Sequence, residues 1–163
     1  MNDLFNFKLE VLGQVQVDRT LGVLAAKVKD LRPAWEDIRH DFQAREDWVF
    51  KREGAVSGWD RWRPLNPVYA AWKRKHGFGS KILVKTGRLK RSLVSGSPDT
   101  IFESKPKSMV VGTRVPYAKY HQLGTSKMPK REPIRLTEPQ KRFWVQIIHK
   151  FLKVSGQFER ANL

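Results

Sequence analysis

The stretch that opens at Thr137 constrains what this chain can fold into more than any other. Phe143, Trp144, Ile147, Ile148, Phe151 and Leu152 recur at three- and four-residue intervals, opposite Lys141, Arg142, His149 and Lys150. That spacing belongs to an amphipathic helix with a wide apolar stripe, and such a stripe must be covered by other elements. Thr137-Glu138-Pro139-Gln140 predicts its start as a capping box, and Gly156 predicts its end. The cover has to come from further up the chain. Leu21, Leu24, Ala25, Val28 and Leu31 predict one helix. After Pro33, Trp35, Ile38, Phe42 and Val49 predict a second, long one. Glu36, Asp37, Asp41, Glu46 and Asp47 read as the solvated face of that long helix.

The remaining segments are shorter. Phe5, Phe7, Leu9, Val11, Val15 and Val17 share one parity with polar residues between them, which predicts a half-buried strand interrupted at Gly13. Residues 54–67 read as an ordered loop, with Trp59 and Trp62 packed inward. Asn66-Pro67 opens a short helix ending at Gly77, on which Trp72 is expected in the core. Thr86 is the expected N-cap of another, in which Leu89 and Leu93 share a face. Residues 100–102 and 109–111 predict two strands around a turn at Ser104–Lys107. Pro116 and Gly124 bracket a last short helix with Tyr117 and Tyr120 on one side, and residues 126–135 form a basic loop or arm. The fold class is α+β: a small antiparallel sheet packed with several helices, including a long helix in the first half and an amphipathic C-terminal helix. At 163 residues the chain is expected to be one domain. Within it lie an acidic part (1–60), a basic part (61–137) and the final helix (138–156).

Charge separates the first two parts. Residues 1–60 hold nine Lys/Arg and eleven Asp/Glu, whereas residues 61–163 hold twenty-three and five. Between Arg61 and Arg91 there are ten basic side chains and no acidic one. Like charges at that density repel unless a partner compensates them, and the partner is either an acidic protein surface or nucleic acid. Arg61, Arg63, Lys73, Arg74, Lys75, Arg88, Lys90, Arg91, Lys127, Lys130 and Arg131 are the candidate interaction residues.

A reaction centre is harder to assemble. With no cysteine, disulfides, thiolate metal sites and thiol nucleophiles are excluded. His40, His76, His121 and His149 never fall at the four-residue spacing of a helix-borne metal site. Gly77-Phe78-Gly79-Ser80-Lys81 lacks the spaced second glycine of a phosphate loop and reads as a turn. Only Asp99, Glu103, Glu132, Glu138 and Glu159 are acidic after residue 61, too few for a two-metal centre. No enzyme, cofactor or metal is expected. No signal peptide is expected from Met1-Asn2-Asp3-Leu4, and the apolar run Val23–Ala26 falls far short of the ~20 residues of a membrane helix.

Four segments in the middle of the chain carry a resemblance. They are Trp62-Arg63-Pro64-Leu65-Asn66-Pro67 with Lys73-Arg74-Lys75, residues Ile82 to Ser92 (ILVKTGRLKRS), Val111 to Ala118 with His121-Gln122-Leu123-Gly124, and Met128-Pro129 with Arg131-Glu132-Pro133. In this order they resemble the phage virion-morphogenesis or tail-completion family, across residues 62–137. Leu123 stands where that family usually has an aromatic residue. The resemblance implies a structural virion protein at the neck, joining tail to head as a ring of copies. Its implied partners are other neck and tail proteins (connector, stopper, tail terminator or tail tube), with genomic DNA nearby. Rings need two different surfaces on one subunit, which an acidic and a basic half supply. The loop at 126–135 and the N-terminal strand, by sheet augmentation, are the segments expected to cross a subunit boundary. A nucleic-acid-binding protein is the alternative reading of the same basic and aromatic residues.

Overall fold

The computed structural model describes residues 14–153, and the α+β expectation holds: six helices and one two-stranded antiparallel sheet. Helices α1 (Gln14–Lys29) and α2 (Arg32–Arg52) come first, then α3 (Pro67–Lys75) and α4 (Arg88–Val94). Strands β1 (Thr100–Lys105) and β2 (Ser108–Thr113) form a hairpin, followed by α5 (Ala118–Leu123) and α6 (Glu138–Leu152).

The long helix α2 is the spine. Pro33 sits in its first turn, where a missing N–H costs nothing. At its end Glu53 turns left-handed (φ 54°) and the chain folds back, with Gly54 N–H donating to Val49 O at 3.0 Å. Ala34, Ile38, Phe42, Val49 and Phe50 are buried along one stripe. α2 packs against α4, α6 and β1, and the core adds Val56, Trp59, Trp62, Ile82, Leu89, Leu93, Val115 and Ala118. Phe50 and Trp62 meet edge to face at 5.3 Å, which draws the 54–66 loop onto the helix. α6 joins through Trp144, whose Nε1 donates to Asp41 at 2.6 Å. In the hairpin Thr100 pairs with Thr113 and Lys105 with Ser108, leaving Pro106 and Lys107 as the turn. Its tip is tied to the start of α2, since Leu31 N–H donates to Pro106 O and Trp35 Nε1 to Lys105 O.

Several local expectations are corrected. Gln14 to Val17 are the first turn of α1, not strand. Positions 17, 21, 24 and 28 already follow helical spacing, and this outweighs two alternating valines. Phe5 to Gly13 lie outside the described residues. The last helix stops at Leu152, with Lys153 already non-helical (ψ 119°), short of the expected end at Gly156. Glu46 is not on a solvated face: it is 1% exposed, because positions 38, 42, 46, 49 and 50 share the buried stripe whatever their chemistry. Trp72 is not core but 39% exposed, and Lys73 beside it is buried instead. Gly87, at φ 77°, caps α4, while the Thr86 hydroxyl accepts from Arg88 N–H at 3.4 Å. Thr137 caps α6 by position only. Its methyl packs on Gly58, where a Cβ would come within 2.8 Å, and its buried hydroxyl makes no hydrogen bond. The α6 stripe is covered in part, with Phe143 left about half exposed.

Candidate docking cleft

Asn66 caps α3 by accepting from Val68 N–H at 2.9 Å, and α3 then stands beside the loop that carries residues 82–87. The buried ammonium of Lys73 joins the two, donating to Lys81 O and to Val84 O, each at 2.7 Å. Burial holds this lysine below its ordinary pKa. Held in this way, Leu83 takes a left-handed conformation (φ 58°) that few leucines adopt. The opposite side is α5 and the loop after it. That loop folds back on itself, with Thr125 paired to Met128. Gly124 (φ 76°) lets the chain pass against Lys130, where a Cβ would sit 2.9 Å from the backbone nitrogen.

Arg131 staples the two sides together. Its guanidinium donates to Arg63 O (Nε, 2.7 Å) and Pro64 O (2.9 Å), and its own N–H donates to His121 O at 2.9 Å. Trp62 Nε1 donates to Glu132 O, and Gln122 exchanges hydrogen bonds with both polar groups of the Ile134 backbone. These hydrogen bonds fix the segments more firmly than apolar contact alone would.

Between these walls lies an open cleft of about 1010 Å³. Leu65, Tyr69, Val84, Leu89, Tyr117 and Met128 supply a largely apolar lining. Among the described residues, the lining includes six Lys and Arg side chains and no acid. They are not equivalent. Lys73 and Arg131 are spent on backbone carbonyls, and Arg88 makes a two-pronged pair with Asp99 at 2.6 Å, which pulls the Asp99 carboxyl below its ordinary pKa. Among the described residues, Arg63, Lys85 and Lys127 make no ion pair. Lys85 instead lies 4.9 Å from the ring centres of both Trp72 and Phe78, and Tyr69 stacks on Trp72. His121 faces the cleft with its buried Nδ1 unpaired, and burial, then Arg131, lower its pKa, so it stays neutral near pH 7. Outside the lining, Val68 (79% exposed) on α3 and Tyr120 and Leu123 (76%) on α5 are further exposed apolar side chains.

Of the basic residues predicted to interact, Arg63, Lys73, Arg88, Lys127 and Arg131 come together at the cleft. Arg61, Arg74 and Lys75 are exposed elsewhere. Lys90 pairs with Asp47 at 2.8 Å, Lys130 pairs with Glu132, and Arg91 donates to Thr86 O. The apolar and aromatic lining is not legible as a site in the sequence, although all of it but Tyr69 lies in the segments that carry the resemblance. Among the described residues no group of three His, Asp or Glu is placed to hold a metal, and no helix is long and apolar enough to cross a membrane.

An apolar trough with a cationic, acid-free rim has the chemistry of a surface that binds another macromolecule. The chain belongs to the phage virion morphogenesis family, whose model matches residues 13–148. It is thus a phage protein of virion assembly. No curated protein and no solved structure matches it.

Proposed function

We propose that this chain is a tail-completion protein at the virion neck, joining tail to head as a ring of copies, with the cleft as the place where a neighbouring polypeptide docks. One observation carries this reading: four segments scattered over residues 62–133, those that resemble the family, line or brace a single cleft. The lining suits a polypeptide. It mixes aromatic and aliphatic anchors with cations, of which Arg63, Lys85 and Lys127 make no ion pair among the described residues, a mixture found in protein interfaces. The role is assembly, and it needs no turnover.

The test is particle joining in lysates of phage carrying Arg63→Glu with Lys127→Glu. Both side chains are exposed, so the fold should survive, and circular dichroism of the purified variant checks that. Full heads and finished tails should accumulate unjoined. Normal yields of joined particles from a folded variant would overturn the reading. Lys85 beside the Tyr69–Trp72 stack also favours a second reading, contact with nucleic acid. Tight duplex binding that falls steeply with salt would support it.

A further inference from the structure

We propose that the cleft receives residues 3–12 of a second copy of this chain, so that copies join arm into cleft. The inference rests on reading the cleft as a docking surface, and it names the occupant.

Six of those ten residues, Leu4, Phe5, Phe7, Leu9, Val11 and Leu12, are large and apolar, and two acids (Asp3, Glu10) outnumber one lysine. A segment so apolar needs a surface to cover it. At about 3.3 Å per residue, an extended Phe5–Val11 would lay four apolar side chains on one face over roughly 20 Å. The cleft answers this in size and sign. Its ~1010 Å³ lies at the upper end of small-molecule sites, which suits a stretch of polypeptide, and its rim offers Arg63, Lys85 and Lys127 with no acid to repel Asp3 or Glu10.

The attachment points to a second copy. The segment leads into α1, which packs on α6 through Lys27, donating to Phe151 O at 2.7 Å, whereas α3, α5, the first turn of α4 and the loops at 82–87 and 125–131 build the cleft. α1 leaves Leu21 57% and Val28 46% exposed, so the helix that carries the arm also presents an uncovered apolar side to a neighbour. An arm and a cleft at different places on one subunit make a head-to-tail contact, and such contacts close into rings when the rotation allows.

The test uses two proteins, one lacking residues 1–13 and one with an intact arm but Tyr69→Ser and Lys127→Glu in the cleft. A fluorescein-labelled peptide of residues 1–13 should bind the arm-less protein, and bind at least tenfold more weakly when the cleft substitutions are added. In sedimentation velocity each variant alone should stay monomeric, while an equimolar mixture should give a dimer that grows no further. Thermal melts check folding. Equal peptide binding with and without the cleft substitutions would overturn the inference, as would assembly of the arm-less protein like the full chain, or a mixture that stays monomeric. If the inference fails and cleft variants still block particle joining, the docking reading stands with another occupant. If joining is also normal, both fall.

Discussion

Lys73→Met tests how the cleft wall is held. Methionine keeps an unbranched stem in the same space and removes the ammonium that serves Lys81 O and Val84 O. Leaving a buried carbonyl without its donor costs about 1–3 kcal/mol, so two would cost up to about 6. Lys81 is an exposed residue, so water can take over part of its share, and removing a buried charge returns a further part. The net expectation is a loss of about 2–3 kcal/mol. For a chain of this size, that lowers Tm by about 4–12 °C. Thermal and urea unfolding followed by circular dichroism would measure it, with Lys75→Met on the exposed face of α3 as the control, expected within about 0.5 kcal/mol of the parent. Amide exchange at residues 82–86 should quicken in the Lys73 variant, since the loop loses its tether. Should Lys73→Met match or exceed the parent in stability, with the loop protected as before, the ammonium is not what holds that wall.

Three further outcomes are expected. Burial raises the Glu46 pKa well above its ordinary 4.5, with Arg45 opposing more weakly, so the folded chain holds that proton more tightly than the unfolded one. The group's favourable contribution is therefore complete below about pH 4.5 and is lost as pH rises through the folded value. Glu46→Gln should remove that fall and gain about 1–3 kcal/mol at pH 7; a parent-minus-variant difference that does not change with pH would refute this. Asp47, held below its ordinary 3.8 by hydrogen bonds from Lys51 and then Lys90, acts in the opposite sense: its stabilisation is present above that value and fades as pH falls through the folded one. Asp47→Asn should cost about 1 kcal/mol at pH 7 and less as pH is taken down through the folded value; a cost that does not change with pH would contradict it. Gly124→Ala forces a Cβ against the Lys130 backbone at an unfavourable φ, and should cost about 2–3 kcal/mol by urea unfolding, whereas an unchanged midpoint would show that the loop simply shifts.

The sequence declared its helices and hairpin because each depends on local periods and punctuation. Pro33, Asn66-Pro67 and Gly124 mark real boundaries, and the α2 stripe is visible in residues 38, 42 and 49. Errors arose where residue type was read ahead of geometry. Glu46 and Lys73 are charged, so they read as surface, yet their helical positions point inward, and in Lys73's case carbonyls absent from any pattern await it. Trp72 reads as core for the mirror-image reason. At the cleft, the sequence displayed a basic stretch but not how its cations are apportioned. That Arg88 belongs to Asp99, Lys90 to Asp47 and Arg131 to two carbonyls follows from chain segments meeting in space.

The Arg131 staple also sets a schedule. Arg131 and its acceptors at Arg63 and Pro64 are 68 and 67 residues apart, and Trp62 and Glu132 are 70 apart. Contacts this distant in sequence form late, after the helices and hairpin have settled. During synthesis, Leu65, Val84 and Leu89 emerge long before Met128 and Arg131 complete the opposite wall. On the docking reading, a nascent chain holds one wall of the cleft once Leu89 is made, and the whole cleft only after Tyr117 to Arg131 have followed. With the cleft as the proposed docking place, a chain cut short before Arg131 lacks the complete site and is expected to stay out of a growing structure.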